Sequence, residues 1–376
     1  MKNKKLLIEA ISTSSGGSLV HLGNILNYFE KQKYFDEIDV LIPKESMKFL
    51  PKKKKINYIN NSLLEKNLLF RIFWQIVVLN IFILFSNYKC IFVTGSSHFI
   101  LSNKVVTISQ NLLPFSDKEV KKYFFSFFFL KLKLLKFTQI TSFRLSKGII
   151  FLHEYSKKII LKQVGNINAK IKVIAHSVDL RKKIINTTKD KKIRLIYISN
   201  IDYYKNQDFV INSIIDLFKK KPKLRKKIFV EFYGNYYNPA LKDFNKLISE
   251  NNKFRKNFKY FGLKSRSQIY KNKKGYTTIS LFSSSCENFS VSLIESMAIG
   301  VPILCVNLQP MSSVLGNSAF FYKHLSIKNF QTQLIKIINN KKLRKKKSKL
   351  ALAKSKKYKP EFMAIETYKF LYLMSR

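Results

Sequence analysis

Two glutamates, Glu287 and Glu295, stand inside a segment whose other residues are suited to holding phosphate. Residues 283–302 read SSSCENFSVSLIESMAIGVP. An apolar strand pattern ends at Phe282, small polar residues then make a tight loop, and a helix begins near Ser290. Gly300 and Pro302 close that helix, glycine just past the last turn and proline beyond it. A helix start offers backbone N–H groups without intrahelical partners and a partial positive charge, which together suit a diphosphate. Glu287, in the loop, can reach sugar hydroxyls beside that phosphate. Glu295, just over one turn into the helix, can accept two hydrogen bonds from a ribose diol, as acidic residues do in dinucleotide sites. On spacing alone, a solvated helix face is the better account of two such glutamates.

The run as a whole says more. Two glutamates separated by seven residues and followed by Ser-Met-Ala-x-Gly-Val-Pro resemble the donor-site signature of the large retaining glycosyltransferase family GT4. The resemblance implies an α/β chain of the GT-B fold, two Rossmann-like domains facing each other across a cleft. It implies that Glu287 contacts the transferred sugar and Glu295 the ribose, with Asn288, Phe289, Ser290 and Val291 completing the donor site. Position 290 is usually glycine in that family; serine can still offer its N–H to phosphate.

Residues 195–207 resemble the family's first strand and loop of the C-terminal domain, where an arginine and a lysine five residues later grip the donor diphosphate. Lys205 matches the lysine, and Asn200 stands where the arginine often is. Fixed positive charge there suits a leaving group on which negative charge develops. Any single lysine in so lysine-rich a chain is a surface residue by default; position after a strand sets Lys205 apart. Gly16 and Gly17 match the family's glycine loop, which approaches the donor phosphate or the acceptor. Gln110 occupies the place of a histidine that lines the acceptor side; hydrogen bonding survives the change and a proton-transfer role would not. His153 and His176, at the ends of presumed strands, read as structural ahead of catalytic. The family requires no metal and no cofactor beyond its nucleotide-sugar substrate, and no convincing metal-binding acidic motif is present.

These residues need a scaffold. Residues 6–11, a glycine turn and an apolar-periodic stretch over 19–29 give strand, turn and helix, the opening of a doubly wound domain. Further strands are expected over 39–42, 90–94, 105–109, 148–152 and 171–175. A polar, lysine-rich stretch over 179–192 reads as a linker. The alternation restarts with strands over 194–199, 229–233, 259–262, 278–282 and 302–306 and helices over 208–218 and 290–299. The domains are therefore expected at 1–178 and 193–359, with a final helix over 360–376 crossing back onto the first, as is usual in the GT-B fold.

Two apolar stretches stand out. Residues 68–85 are interrupted by Arg71, Gln75 and Asn80 and fall short of the ~20 residues a spanning helix needs, so a core helix is expected. Residues 123–137 interleave phenylalanines and leucines with Lys131, Lys133 and Lys136, which suits an interfacial helix or a core helix with exposed lysines.

The 376 residues carry 70 Lys and Arg against 22 Asp and Glu, a formal charge of +48. Nucleic acid, anionic lipid, or a genome rich in A and T could each account for it. The basic residues are scattered and form no recognised reader motif, so no specific nucleic-acid partner is expected. The three cysteines make no CxxC pair and suit a reducing compartment. The expected partners are a UDP- or GDP-linked sugar, a glycan or lipid-linked saccharide acceptor and an anionic membrane surface. The expected location is cytoplasmic, peripheral on the inner face of the membrane. A sugar-nucleotide epimerase or phosphorylase of the same architecture, and a nucleic-acid-binding protein, are the competing classes.

Overall fold

The computed structural model describes residues 4–13, 16–60, 73–178, 192–271 and 275–376. The chain divides into two units, Met1–Ser177 with Tyr358–Arg376, and Val178–Lys357.

Among the described residues, unit 1 is built on seven strands: β1 (Lys5–Glu9), β2 (Glu37–Leu41), β3 (Ile56–Ile59), β4 (Cys90–Val93), β5 (Val105–Ser109), β6 (Gly148–Phe151) and β7 (Lys170–Val173). They pair in the order β3-β2-β1-β4-β5-β6-β7, every pair parallel. A parallel sheet covered on both faces needs apolar residues on both, and β4, β5 and β6 are accordingly buried at every position. The order reverses between β1 and β4, the position at which open α/β sheets hold ligands. Helix α1 (Gly16–Asn27) follows β1. Residues 14 and 15 of the glycine loop lie outside the described residues.

The expected strands of this unit are present, and β3 is an addition. It is a four-residue edge strand in which only Ile56 is buried, and it follows four consecutive lysines that mask its alternation.

Two helical segments differ from expectation. The core helix expected over 68–85 packs only one face: Trp74 and Leu79 are buried, while Ile81, Leu84 and Phe85 are exposed; residues 68–72 lie outside the described residues. The 123–137 segment is broken at Phe124–Ser126, and the helix proper is α2 (Phe127–Leu145). Its apolar stripe faces solvent. Phe127, Leu130, Leu134 and Phe137 recur at helical spacing and are all more than half exposed, whereas Gln139 and Ser142 are buried with Leu132 and Phe143. Among the described residues no helix is long and apolar enough to cross a membrane.

Helix α3 (Glu154–Val164) begins at His153, whose Nδ1 accepts from the Tyr155 N–H at 3.0 Å. His176 is buried with its Nδ1 3.0 Å from Nδ1 of His21 on α1.

Unit 2 is a second parallel sheet: β8 (Lys192–Ile198), β9 (Ile228–Tyr233), β10 (Phe258–Tyr260), β11 (Tyr276–Phe282), β12 (Ile303–Val306) and β13 (Phe320–Tyr322), in the order β10-β9-β8-β11-β12-β13. Its main helices are α4 (Gln207–Lys220), α5 (Asn238–Glu250), α6 (Val291–Ile299), α7 (Ile327–Asn339) and α8 (Lys341–Ser355). Lys192, assigned above to the linker, opens β8; residues 179–191 lie outside the described residues. The three-residue β13 has no sequence period long enough to predict it. Gly300 ends α6 at φ +80°, the left-handed conformation glycine enters without a Cβ penalty.

The core of this unit encloses a charge. Arg194 on β8 is 1% exposed; its Nε donates to Glu231 Oε2 at 2.6 Å and its Nη2 to the Tyr233 hydroxyl at 2.9 Å and the Ile269 carbonyl at 2.7 Å. This network ties β8 and β9 to the short helix Arg266–Ile269 that follows β10.

The chain then returns to unit 1 as α9 (Pro360–Met374). The Tyr368 hydroxyl donates to the Ile25 carbonyl of α1 at 3.0 Å, and Lys172 on β7 pairs with Glu366 at 2.6 Å. A Cβ on Gly148 of β6 would lie 2.9 Å from Met374, so glycine there lets α9 approach the sheet.

Candidate active site

The strand order of unit 2 reverses between β8 and β11, and the loops leaving the carboxyl ends of these two strands carry Lys205 and Glu287. Their meeting is built locally. Asp202 caps the turn Tyr203–Lys205 by accepting from the Tyr203 N–H at 2.8 Å. Asn206 then takes a left-handed conformation at φ 53°, one that asparagine tolerates better than most residues, and α4 starts immediately after it.

The two loops are stitched together. Ser283 Oγ lies 2.7 Å from the Lys205 carbonyl and 2.9 Å from the Tyr197 hydroxyl, which itself donates to the Lys205 carbonyl. Asn206 Nδ2 donates to the Ser283 carbonyl at 2.8 Å, and the Ser285 N–H donates to the Tyr204 carbonyl at 2.8 Å. Held this way, Lys205 Nζ donates to Glu287 Oε1 at 2.5 Å and lies 4.6 Å from the centroid of the Tyr204 ring. Burial works against the ammonium, but the Glu287 carboxylate beside it prevails, so the Lys205 pKa stands above the ordinary lysine value.

Beside this pair runs the loop to α6. Asn288 and Phe289 are buried, and Ser290 and Val291 are half-buried. Ser290 is the N-cap residue of α6, but its side chain makes no capping bond to the helix; its Oγ lies 3.1 Å from Ser292 Oγ. Glu295, on the fifth residue of α6, is 7% exposed and pairs with Arg266 Nη2 at 2.5 Å. Burial pushes its carboxyl up to about 7, with the Arg266 guanidinium pulling the other way. Asn200 is exposed beyond the end of β8, where its Oδ1 accepts from the Asn235 N–H at 3.2 Å.

Unit 1 places its own candidates at its own point of reversal. Gly16 and Gly17 open α1 after β1. Gln110, after β5, donates through Nε2 to the Thr94 carbonyl at 3.3 Å and through its N–H to Ser96 Oγ at 3.2 Å. It thus belongs with the small-residue turn Thr94–Ser96 after β4, where Thr94 Oγ1 meets Thr13 Oγ1 at 2.8 Å. A Cβ on Gly95 would fall 2.1 Å from Ser12 Oγ, so a side chain there would force Ser12 to move.

Sequence reasoning passed over that turn, although Thr94-Gly95-Ser96-Ser97 directly after a strand was a readable sign of it. It also passed over Arg266, the partner of Glu295, for which no local signal exists.

Among the described residues no group of three or more His, Cys, Asp or Glu side chains could hold a metal ion.

Residues 179–353, essentially the whole of unit 2, match the family model described as glycosyl transferases group 1. Solved structures share the fold over the whole chain. HepE of Anabaena, solved with UDP and glucose, aligns with a TM-score of 0.69 at 13% identity over 98% of this chain and 99% of its own. Sucrose-phosphate synthase of Thermosynechococcus elongatus aligns at 0.73 and 10% identity over 98% of each chain. WaaG, described as a glycosyltransferase involved in lipopolysaccharide biosynthesis, aligns at 0.70 and 11% over 98% and 99%. No curated protein gives a significant match. The family match marks unit 2 as a glycosyl transferases group 1 region, and the structural likeness gives the chain's two Rossmann-like halves the GT-B fold.

Proposed function

We propose that the chain is a GT4-type retaining glycosyltransferase that moves a sugar from a UDP- or GDP-linked donor to a lipid-linked glycan in the assembly of bacterial surface polysaccharide. The observation that carries the donor site is the Lys205–Glu287 pair, buried at the reversal point of unit 2 beside the start of α6. The donor diphosphate lies against the N–H groups of the first turn of α6 and takes over Lys205, and this exchange frees the Glu287 carboxylate for the hydroxyls of the sugar. Glu295 accepts from the ribose. In the transfer the acceptor oxygen bonds to the anomeric carbon on the face from which the phosphate oxygen departs. The acceptor's proton passes to that phosphate, and Lys205 offsets the charge that develops there. Lys205 and the helix start supply the positive charge that this step needs, and neither a metal nor a further cofactor is invoked. The UDP complex of HepE supports a uridine donor.

The test is thermal stabilisation by UDP-, GDP- and ADP-sugars without added metal, since a ligand bound only by the native state raises the melting temperature. One nucleotide should stabilise the protein, and Glu295→Ala should abolish the effect. A folded protein that responds to none of them would remove the donor site from consideration.

The outward apolar stripe of α2 supports a membrane-borne acceptor. Phe125 is 99% exposed and Phe127 83%, with the exposed Lys131 and Lys133 alongside, the arrangement expected of a surface that beds its rings at the headgroup level while lysines reach lipid phosphates; Lys136 is turned to Asp117 instead. The role of WaaG in lipopolysaccharide biosynthesis supports the same class of product. On this reading the enzyme works at the inner face of the cytoplasmic membrane. Partitioning onto vesicles containing anionic lipid should fall about tenfold for each of Phe125→Ser and Phe127→Ser, as expected for ~1.5 kcal/mol of lost apolar burial per ring. Equal binding of wild type and variants would reject the stripe as a membrane contact.

A further inference from the structure

The carboxylate assigned to the ribose has a partner that the reaction itself does not need. Glu295 sits almost wholly inside unit 2, and an ionised carboxylate offers both of its oxygens as acceptors to a diol, whereas a protonated one turns one of them into a donor. Burial opposes that ionised form. Arg266 Nη2 lies 2.5 Å from Glu295 Oε1, and the guanidinium is itself 42% exposed, so it can be reached by solvent while its partner cannot.

Its carrier is fixed from both ends. The short helix Arg266–Ile269 opens with a reciprocal cap between Ser265 and Gln268, and its last carbonyl, on Ile269, accepts from the buried Arg194. The next residue, Tyr270, reaches α6 through a 3.1 Å contact between its hydroxyl and Ser296 Oγ.

We propose that Arg266 is a positioning residue of the donor site, which holds the Glu295 carboxylate charged and oriented to receive the ribose hydroxyls of a nucleoside diphosphate sugar. This rests on the donor-site reading above. Among the described residues the groups facing Glu295 are few. Arg266 and Tyr270 come from the segment after β10, and Arg194 from β8 is engaged by Glu231. From α8, which packs on α6, Lys354 is turned to the Leu315 carbonyl at 2.9 Å. Of these, Arg266 is the cation bonded to the carboxylate.

The consequence is a shift in pH dependence. The Glu295 carboxyl titrates near 7 in the folded protein, above the ordinary carboxylate value, with burial as the cause and Arg266 restraining it. Without Arg266 that titration moves to higher pH. The native state then carries more of the cost of a buried anion as pH rises: stability is full below the ordinary carboxylate pKa, falls as pH climbs from there to the raised folded-state pKa, and levels off above it, so the variant goes on losing stability at pH values where the wild type has levelled off.

The experiment has two arms on the full chain. In the first, melting temperatures of wild type, Arg266→Gln, Arg266→Lys, Glu295→Gln and the Arg266→Gln/Glu295→Gln double variant are followed from pH 6 to pH 9. The deficit of Arg266→Gln should grow with pH, shrink in Arg266→Lys and lose its pH dependence in the double variant. A deficit that stays constant with pH, or persists unchanged in the double variant, overturns the proposal by making Arg266 a structural residue only.

In the second arm, Kd is measured over the same range for UDP, GDP and ADP. The midpoint at which affinity is lost on acidification should lie higher in Arg266→Gln than in wild type, with affinity falling about tenfold per pH unit below it and recovering in Arg266→Lys. Identical midpoints overturn the role in binding. A wild type that binds none of the three nucleotides overturns the donor-site reading instead, and it takes the purpose proposed for Arg266 with it whatever the first arm shows.

Discussion

Replacing Lys205 by methionine is expected to cut transfer sharply and to unsettle the fold as well. Lys205 is 8% exposed and bonded to a carboxylate nearly as enclosed. Taking the cation away leaves Glu287 as an uncompensated charge in a low-dielectric site, which costs about 3–5 kcal/mol in comparable buried pairs. Glu287→Leu should cost a similar amount by stranding the ammonium. The double variant Lys205→Met/Glu287→Leu, which strands neither, should recover much of the lost stability.

Activity should follow a different pattern. Each single variant should lose about 100-fold or more in kcat, the scale for removing a group that faces developing charge, and the double variant should recover none of it. Melting curves and transfer rates on the same four proteins check this directly. A double variant that melts as low as the worse single one would reject the buried-pair account, and full activity in either single variant would reject the catalytic one.

The second large effect lies away from the site. Arg194→Met should destabilise unit 2 by about 3–5 kcal/mol, because the buried Glu231 carboxylate and the Ile269 carbonyl lose the guanidinium bonded to them. A comparable fall for Arg194→Lys is expected, since an ammonium cannot span both partners and the Tyr233 hydroxyl with the geometry of a planar guanidinium. Urea midpoints for both variants measure the effect; a lysine variant as stable as wild type would show that charge alone, without the fork, suffices. Because the same guanidinium fixes the end of the helix carrying Arg266, either variant should also weaken nucleotide binding.

The α/β alternation was legible because buried parallel strands read as short apolar runs: β5 and β12 stand out from their flanks unaided. The edge strands β3 and β13 were not, since four residues after a lysine cluster and three aromatic residues in a row carry no period. The run from Glu287 to Pro302 was legible for another reason: loop, helix start and helix end all fall within it, so local chemistry reports them together.

Arg266 shows the limit. Its partner is a residue 29 positions away, reached only once β10, β11 and α6 have packed, and in a chain with 70 basic residues nothing local marks one of them out. Arg194 was hidden differently. A charged residue in a strand pattern reads as an outward face, and only the sheet beneath α6 and the helix after β10 turns that position inward. For α2 the usual expectation inverts: the apolar stripe was readable, but which side it faced was settled by Leu132, Gln139, Ser142 and Phe143 taking the buried side.

Helix α9 also bears on the order in which the molecule can be made. Unit 1 is assembled from the two ends of the chain, with unit 2 lying between them in sequence. A ribosome adding about 5–20 residues per second would release the strands of unit 1 roughly 10–35 s before α9. Through that interval the surface of α1 around Ile25 and the bare backbone at Gly148 stay uncovered, while unit 2 is made and completes its last strand, β13, shortly before α9 begins. Unit 2 is therefore expected to have its full sheet first on the nascent chain, and unit 1 to mature only when its last helix arrives.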